Sequence, residues 1–136
     1  MSMSLADRLF ALQSVHPFSL LRADELLTIA TATSLHRFAP GHLLCGEGAV
    51  IQRLYVQVAG SAVDPQGNPM QPVLGTTILL TGKPAPFPIL AGPEGYTALA
   101  LPRGKFFTVL TECPTLLTGF FRMPLLGVDY RREQQA

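Results

Sequence analysis

Charge is scarce in this sequence and nearly balanced. Of 136 residues, 10 are Lys or Arg and 9 are Asp or Glu, a formal net charge of +1. A nucleic-acid binder gathers a basic surplus on one face, and with no surplus to gather the chain is not expected to bind DNA directly. Cysteine is scarcer still. Cys45 and Cys113 lie far apart with no metal-ligand spacing, so they are expected as two isolated core thiols in a reducing cytoplasm rather than a disulfide. No stretch approaches the roughly 18 apolar residues of a membrane span, and Asp7 and Arg8 interrupt the apolar run that a signal peptide would need. What is abundant is apolar residues, at 48%, with twelve Pro and twelve Gly. The length is that of one domain, so residues 1–136 are expected to form a single unit around one core.

Pro and Gly set the architecture. From Phe38 to Pro102 no run free of them is long enough for a substantial helix, and the segments between them suit short strands. The outer segments carry helical periodicity. Leu5, Leu9 and Leu12 share one helix face, and Ser4 with Asp7 three residues later has the pattern of a capping box. Beyond Pro17 a second helix is expected over Ala23–Ala32, burying Leu26, Leu27 and Ala30. Short strands are expected at Leu35–Phe38 and His42–Cys45, either side of the Ala39-Pro40-Gly41 turn. In Arg53–Ala59, Leu54, Val56 and Val58 alternate with Arg53, Tyr55 and Gln57, which predicts a strand with the aliphatic residues inward. Asp64 to Pro69 reads as loop, and Thr76–Leu80, Phe87–Leu90 and Tyr96–Leu101 as further strands. Pro102 opens a helix through Leu110 with Phe106, Phe107 and Leu110 inward, and Glu112-Cys113-Pro114 starts a last helix ending near Phe121. Pro124 and Gly127 break the chain after that, and Arg131 to Ala136 is a polar tail. The sum is a mainly β protein, a roll or barrel with helices at both ends.

The order of these motifs resembles the cyclic nucleotide-binding domain family. His16-Pro17-Phe18-Ser19-Leu20-Leu21 is similar to that family's short helical entry, and Asp24-Glu25-Leu26-Leu27 to its next helix. Phe38 through Gly48 resembles the strand, turn and strand that open the roll, and Leu54 through Ser61 the strand ending in a Gly-Ser turn. Leu74 through Pro84 stands where the phosphate-binding cassette falls; Leu99 to Leu110 and Cys113-Pro114 resemble the closing strand and the helices after it. The resemblance covers residues 16–121 and leaves 122–136 as a short tail. It implies a double-stranded β-helix of jelly-roll type, serving as a regulatory domain in bacterial signalling.

Inside the cassette the sequence departs from the family. Members that bind a cyclic nucleotide carry Gly-Glu, a Leu-Leu pair and an Arg, the Glu holding the ribose hydroxyl and the Arg the cyclic phosphate. Here Gly75 is kept, the Glu position is Thr76, and the Arg position falls on Ala85 or Pro86. A buried phosphate without a cationic partner is a costly desolvated charge, and Lys83, a solvated loop lysine that could reach the site, is a poor substitute for a bidentate Arg. The resemblance therefore implies a degenerate site that does not bind cyclic AMP in the usual way. Its candidate lining is Leu74, Gly75, Thr76, Thr77, Lys83, Ala85, Pro86 and Phe87, with the threonine hydroxyls as the polar groups. Between Gly60 and Gly75 the chain is also shorter than the family pattern by about ten residues, which should trim one edge of the roll and expose it.

Other chemistry finds little footing. His16, His36 and His42 supply no His-x-His pair and only Glu47 as a further ligand, so no metal site is expected. Cys45 and Cys113 have no neighbouring base, and there is no Gly-x-Ser-x-Gly elbow, so no catalytic residue and no cofactor are assigned. Asp64 and Glu94, beside Pro and Gly, are expected as solvated loop residues. Regulators built on this fold add a dimer helix and a helix-turn-helix after the roll, which the stretch past Phe121 does not supply, so any signal should pass through another protein. Two functions follow: a sensor for an uncharged or non-nucleotide small molecule, or a protein-interaction or oligomerisation module without a ligand. Phe120, Phe121, Met123, Leu125 and Leu126 either cover the core or form a homodimer patch.

Overall fold

Helix α1, Leu5–Gln13, begins where the sequence places it. The Asp7 backbone N–H donates to Ser4 Oγ (3.1 Å), and the Ser4 N–H donates to Asp7 Oδ2 (3.4 Å), closing the capping box. The computed structural model describes residues 3–121. A 3₁₀ turn, Phe18–Leu20, leads to α2, Ala23–Ala32. Helix α2 buries Leu26, Ile29 and Ala30, the i, i+3, i+4 set of one face. Leu27, expected inward, lies one helical step off that face and is exposed. The carbonyls that end α2 meet a cation from α1: Arg8 Nη1 donates to Thr33 O (2.9 Å) and Ala30 O (3.4 Å).

The β region is one antiparallel sheet. Strands β1 (Ser34–Phe38), β5 (Ile89–Pro102), β3 (Arg53–Val63) and β4 (Val73–Leu74) lie in that order, with β2 (Leu43–Cys45) also paired to β5. The sheet does not close on itself. Its spine is the β3–β5 ladder, and both strands outrun expectation. β3 continues past Ala59 to Val63, and the two strands expected at Phe87–Leu90 and Tyr96–Leu101 are one strand, with Phe87 outside it. The Gly-rich corner permits this. Gly60 (φ +68°) faces Gly95 (φ +81°) so closely that a Cβ on Gly60 would overlap the Gly95 carbonyl. On one side of the corner β5 pairs with β1 and Arg53–Gly60; on the other it pairs with β2 and with Ala62 and Val63.

A register shift between Gln57 and Ala59 breaks the alternation read from the sequence. Leu54 and Val56 are buried as expected, but Tyr55 is buried too, and Val58 faces out. Glu94 is exposed, within β5 rather than in a loop. Helix α4 (Arg103–Glu112) buries Phe106, Val109 and Leu110. Phe107, expected inward, is 37% exposed, with the Arg103 guanidinium 5.4 Å above its ring. Helix α5 (Pro114–Phe121) follows Cys113, and Gly119 passes against Pro17 and Leu20. The expectations for Pro124, Gly127, Met123, Leu125, Leu126 and the polar tail lie outside the described residues, as do the side chains of Phe120 and Phe121.

The edge expected to be trimmed and exposed is covered. The chain from Pro69 to Leu74 runs back along β3: Met70 N donates to Ala62 O (2.8 Å), Gln57 N to Pro72 O (2.8 Å), and β4 pairs with Tyr55 and Val56. This extended segment is a strap along the edge of β3.

Candidate functional site

Leu74 and Gly75 end the strap against the start of β3. Gly75 has φ +104°, and a Cβ there would sit 3.1 Å from Arg53 O and 3.3 Å from Ile51 Cγ2, so only glycine makes this turn. The segment that follows is helix α3, Thr76–Thr81, not the strand expected over Thr76–Leu80. Leu79 N donates to Gly75 O (2.9 Å) and Gly82 N to Ile78 O (2.8 Å), with Gly82 left-handed at the C-terminal end. Two glycines bracket a single short helix and override the β-branched bias of Thr76, Thr77 and Ile78.

Leu74, Gly75, Thr76, Ile78, Leu79 and Ala85 are buried. Lys83 is exposed, and its backbone N–H donates to Thr81 Oγ1 (3.2 Å). The two candidates for the arginine position separate: Ala85 is 2% exposed and joins the core, whereas Pro86 faces solvent. Gly48 N donates to Ala85 O (2.8 Å) and Ala85 N to Ala49 O (2.9 Å), which pins this end of the segment to the loop after β2. Phe87 is half-buried against the core. The Thr77 side chain lies outside the described residues. Thr76 Oγ1 is buried with no hydrogen-bond partner, an orphan that a core does not leave without cost.

Two residues near the roll were missed. Asp64, read as solvated, is 1% exposed. Its Oδ1 accepts from Gln66 N and Asn68 N (2.9 Å each) and its Oδ2 from Asn68 Nδ2 (3.2 Å). The spacing in Asp64-Pro65-Gln66-Gly67-Asn68-Pro69 is that of an Asx turn, so the signal was present. Tyr96 packs its ring 6.4 Å from Tyr55 and 6.2 Å from Phe38, and its buried hydroxyl also has no partner. Burial, with Tyr55 beside it, pushes that phenol well above its usual range.

His36 and His42 both pack near the Phe38 ring, at 6.1 and 5.3 Å between centroids, and His36 Nε2 is 3.0 Å from Ser34 Oγ. Among the described residues no group of three or more His, Cys, Asp or Glu side chains could hold a metal ion. Cys45 and Cys113 are free and buried; burial raises both thiols, and Glu25 and Glu112 raise Cys113 further, so neither is poised as a thiolate. Among the described residues no helix is long and apolar enough to cross a membrane.

A helix–3₁₀–helix entry, an open antiparallel roll with a glycine-bracketed short helix and two closing helices together define the fold of cyclic nucleotide-binding domains. Solved structures bear this out. The regulatory domain of Toxoplasma gondii protein kinase A with cAMP matches at a TM-score of 0.70 and 21% identity over 84% of this chain and 48% of its own. The regulatory subunit of a cAMP-independent protein kinase A from Trypanosoma brucei, a triple mutant bound to cAMP in the A site, matches at 0.71 and 21% over 87% and 46%. The corresponding subunit from Trypanosoma cruzi, bound to guanosine, matches at 0.68 and 21% over 84% and 44%. The chain thus spans about half the length of these neighbours. No protein-family model matches the chain, and no curated protein does.

Proposed function

We propose that this domain is a non-enzymatic regulatory module whose roll takes an uncharged ligand in place of a cyclic nucleotide. The observation that carries the reading is the contrast within one segment. Ala85, one of the two positions read from the resemblance as the arginine's, is buried and apolar, while Thr76 keeps a buried hydroxyl without a partner. A cyclic phosphate at this place would lose its water without gaining a cation; a neutral hydrogen-bonding group would lose far less and would satisfy Thr76. Fold neighbours hold both kinds of ligand, cAMP in two cases and guanosine in a third, which makes a neutral nucleoside the first class to try. The module would act in the cytoplasm, in keeping with its two free thiols, and pass its signal through another protein rather than to DNA.

The test is a thermal-shift and calorimetric screen of nucleosides against cyclic nucleotides. A nucleoside at a hundred times its Kd should add about 2.7 kcal/mol of stability, and cAMP should add nothing. Thr76→Val, which keeps the shape and removes the hydroxyl, should abolish the nucleoside response in a protein that is at least as stable. Stabilisation of the natural protein by micromolar cAMP would refute the reading. A ligand-free interaction or oligomerisation module is favoured by exposed apolar residues near the start of the chain, Phe10 at 66% and Leu20 at 51%. A screen without hits, with a mass in light scattering that grows with concentration, would select it.

A further inference from the structure

Asp64 and the cassette are joined by a continuous row of backbone contacts. The carboxylate holds the turn by its three accepted bonds, and the turn is closed again by Gly67 N to Asp64 O (2.9 Å) and Asp64 N to Asn68 O (3.0 Å). From there Pro69 bridges Val63, Met70 bonds Ala62, Pro72 bonds Gln57, and β4 pairs with β3 through Leu74, the residue before Gly75. Pro65, Pro69 and Pro72 each fix φ and cannot donate to a ladder, so the segment has little freedom to refold around a displacement.

We infer that residues 64–74 form a strap in place of the family's hairpin, and that Asp64 is its clasp, a positioning residue for Gly75 and Thr76. A carboxylate this deeply buried is tolerable only with its N–H donors in place. The turn therefore has two states, seated with Asp64 inside or released with it in water, and the stiff strap carries that choice to the cassette. Its consequence for ligand affinity rests on the proposed function; the coupling itself does not.

Native-state amide exchange tests the coupling without any ligand, so a failure here is separate from a failure of the ligand reading. Gln57 N, bonded to Pro72 O, reports the strap; Leu79 N, bonded to Gly75 O, reports the cassette; Cys113 N, bonded to Val109 O (2.8 Å) at the end of α4, is the control. Asp64→Asn keeps the side chain's shape but turns an amide donor towards Asn68 Nδ2. It should speed exchange at Gln57 and Leu79 by about tenfold or more and leave Cys113 within about twofold. Acceleration at Gln57 without Leu79 would show that the cassette is independent of the clasp, and equal acceleration at all three amides would reduce the effect to global stability; either overturns the inference. If Asp64→Asn does not fold, Gly67→Ala is read by the same three amides. It strains a φ of +87° in open space and removes no contact.

Discussion

Gly60 shows how a single residue decides this roll. Its positive φ and its contact with the Gly95 carbonyl leave no room for a Cβ, so Gly60→Ala must reopen the corner of the β3–β5 ladder. A loss of about 3 kcal/mol is expected in urea unfolding, against about 1 kcal/mol for Gly67→Ala, where φ is as unfavourable but the space is open. Equal losses would mean that the corner can relax. The Tyr96 hydroxyl is the opposite case. Buried without a partner, it works against folding, so Tyr96→Phe should leave the protein unchanged or up to about 2 kcal/mol more stable. His36 adds a pH dependence. Partial burial and the nearby Arg53 charge hold its folded-state value below the ordinary 6.5. The unfolded chain therefore protonates first as pH falls, and the stability present above about pH 6.5 declines below it. His36→Gln should flatten that decline in melting temperature, measured at low salt.

At the scale of elements, the sequence was clearest where one local rule acted alone. The capping box of α1, the Pro17 break, the bounds of α2 and the Pro114 start of α5 are each set by a few neighbouring residues, and each is found where expected. Ser4→Ala should accordingly cost about 1 kcal/mol in thermal or urea unfolding. Strand and helix faces were less legible. Leu27 and Phe107 are large and apolar, but the period of each helix had already filled its buried face with Leu26, Ile29 and Ala30, or with Phe106, Val109 and Leu110. Val58 was turned outward by a bulge, which depends on the partner strand. The segments at Thr76 and at Ile89 depart from expectation for a shared reason. Glycine does not simply break structure in either: Gly75 and Gly82 cap a helix, while Gly92 and Gly95 let a strand bend and continue. Of the candidate segment, the residues are legible and the geometry is not. Gly75 and the uncharged Thr76 and Ala85 are visible in the letters, whereas the burial of Asp64 and the strap it holds depend on chain that returns from elsewhere.

For the whole molecule, the proposed function raises one decisive question: whether a few side chains, rather than the shape of the roll, are what would turn a cyclic nucleotide away. The backbone around Gly75 has the tight turn and the short helix, Ala85 is held by two hydrogen bonds to the loop after β2, and neither Thr76 nor Ala85 carries a charge. Placing charges at both is therefore the sharpest experiment. In the double variant Thr76→Glu with Ala85→Arg, two buried ionisable groups face each other's surroundings without a ligand. The free protein should lose several kcal/mol, of the order seen when buried charges lack partners. Cyclic AMP would then supply the anion for the arginine and the hydroxyl for the glutamate, and stability should return as its concentration rises, with no such response in the natural protein. Arginine at the exposed Pro86 instead of Ala85 should give neither the loss nor the rescue. A double variant that folds yet ignores millimolar cyclic AMP would mean that the segment from Gly75 to Ala85 no longer frames a phosphate site, and that the roll's cavity must be sought elsewhere.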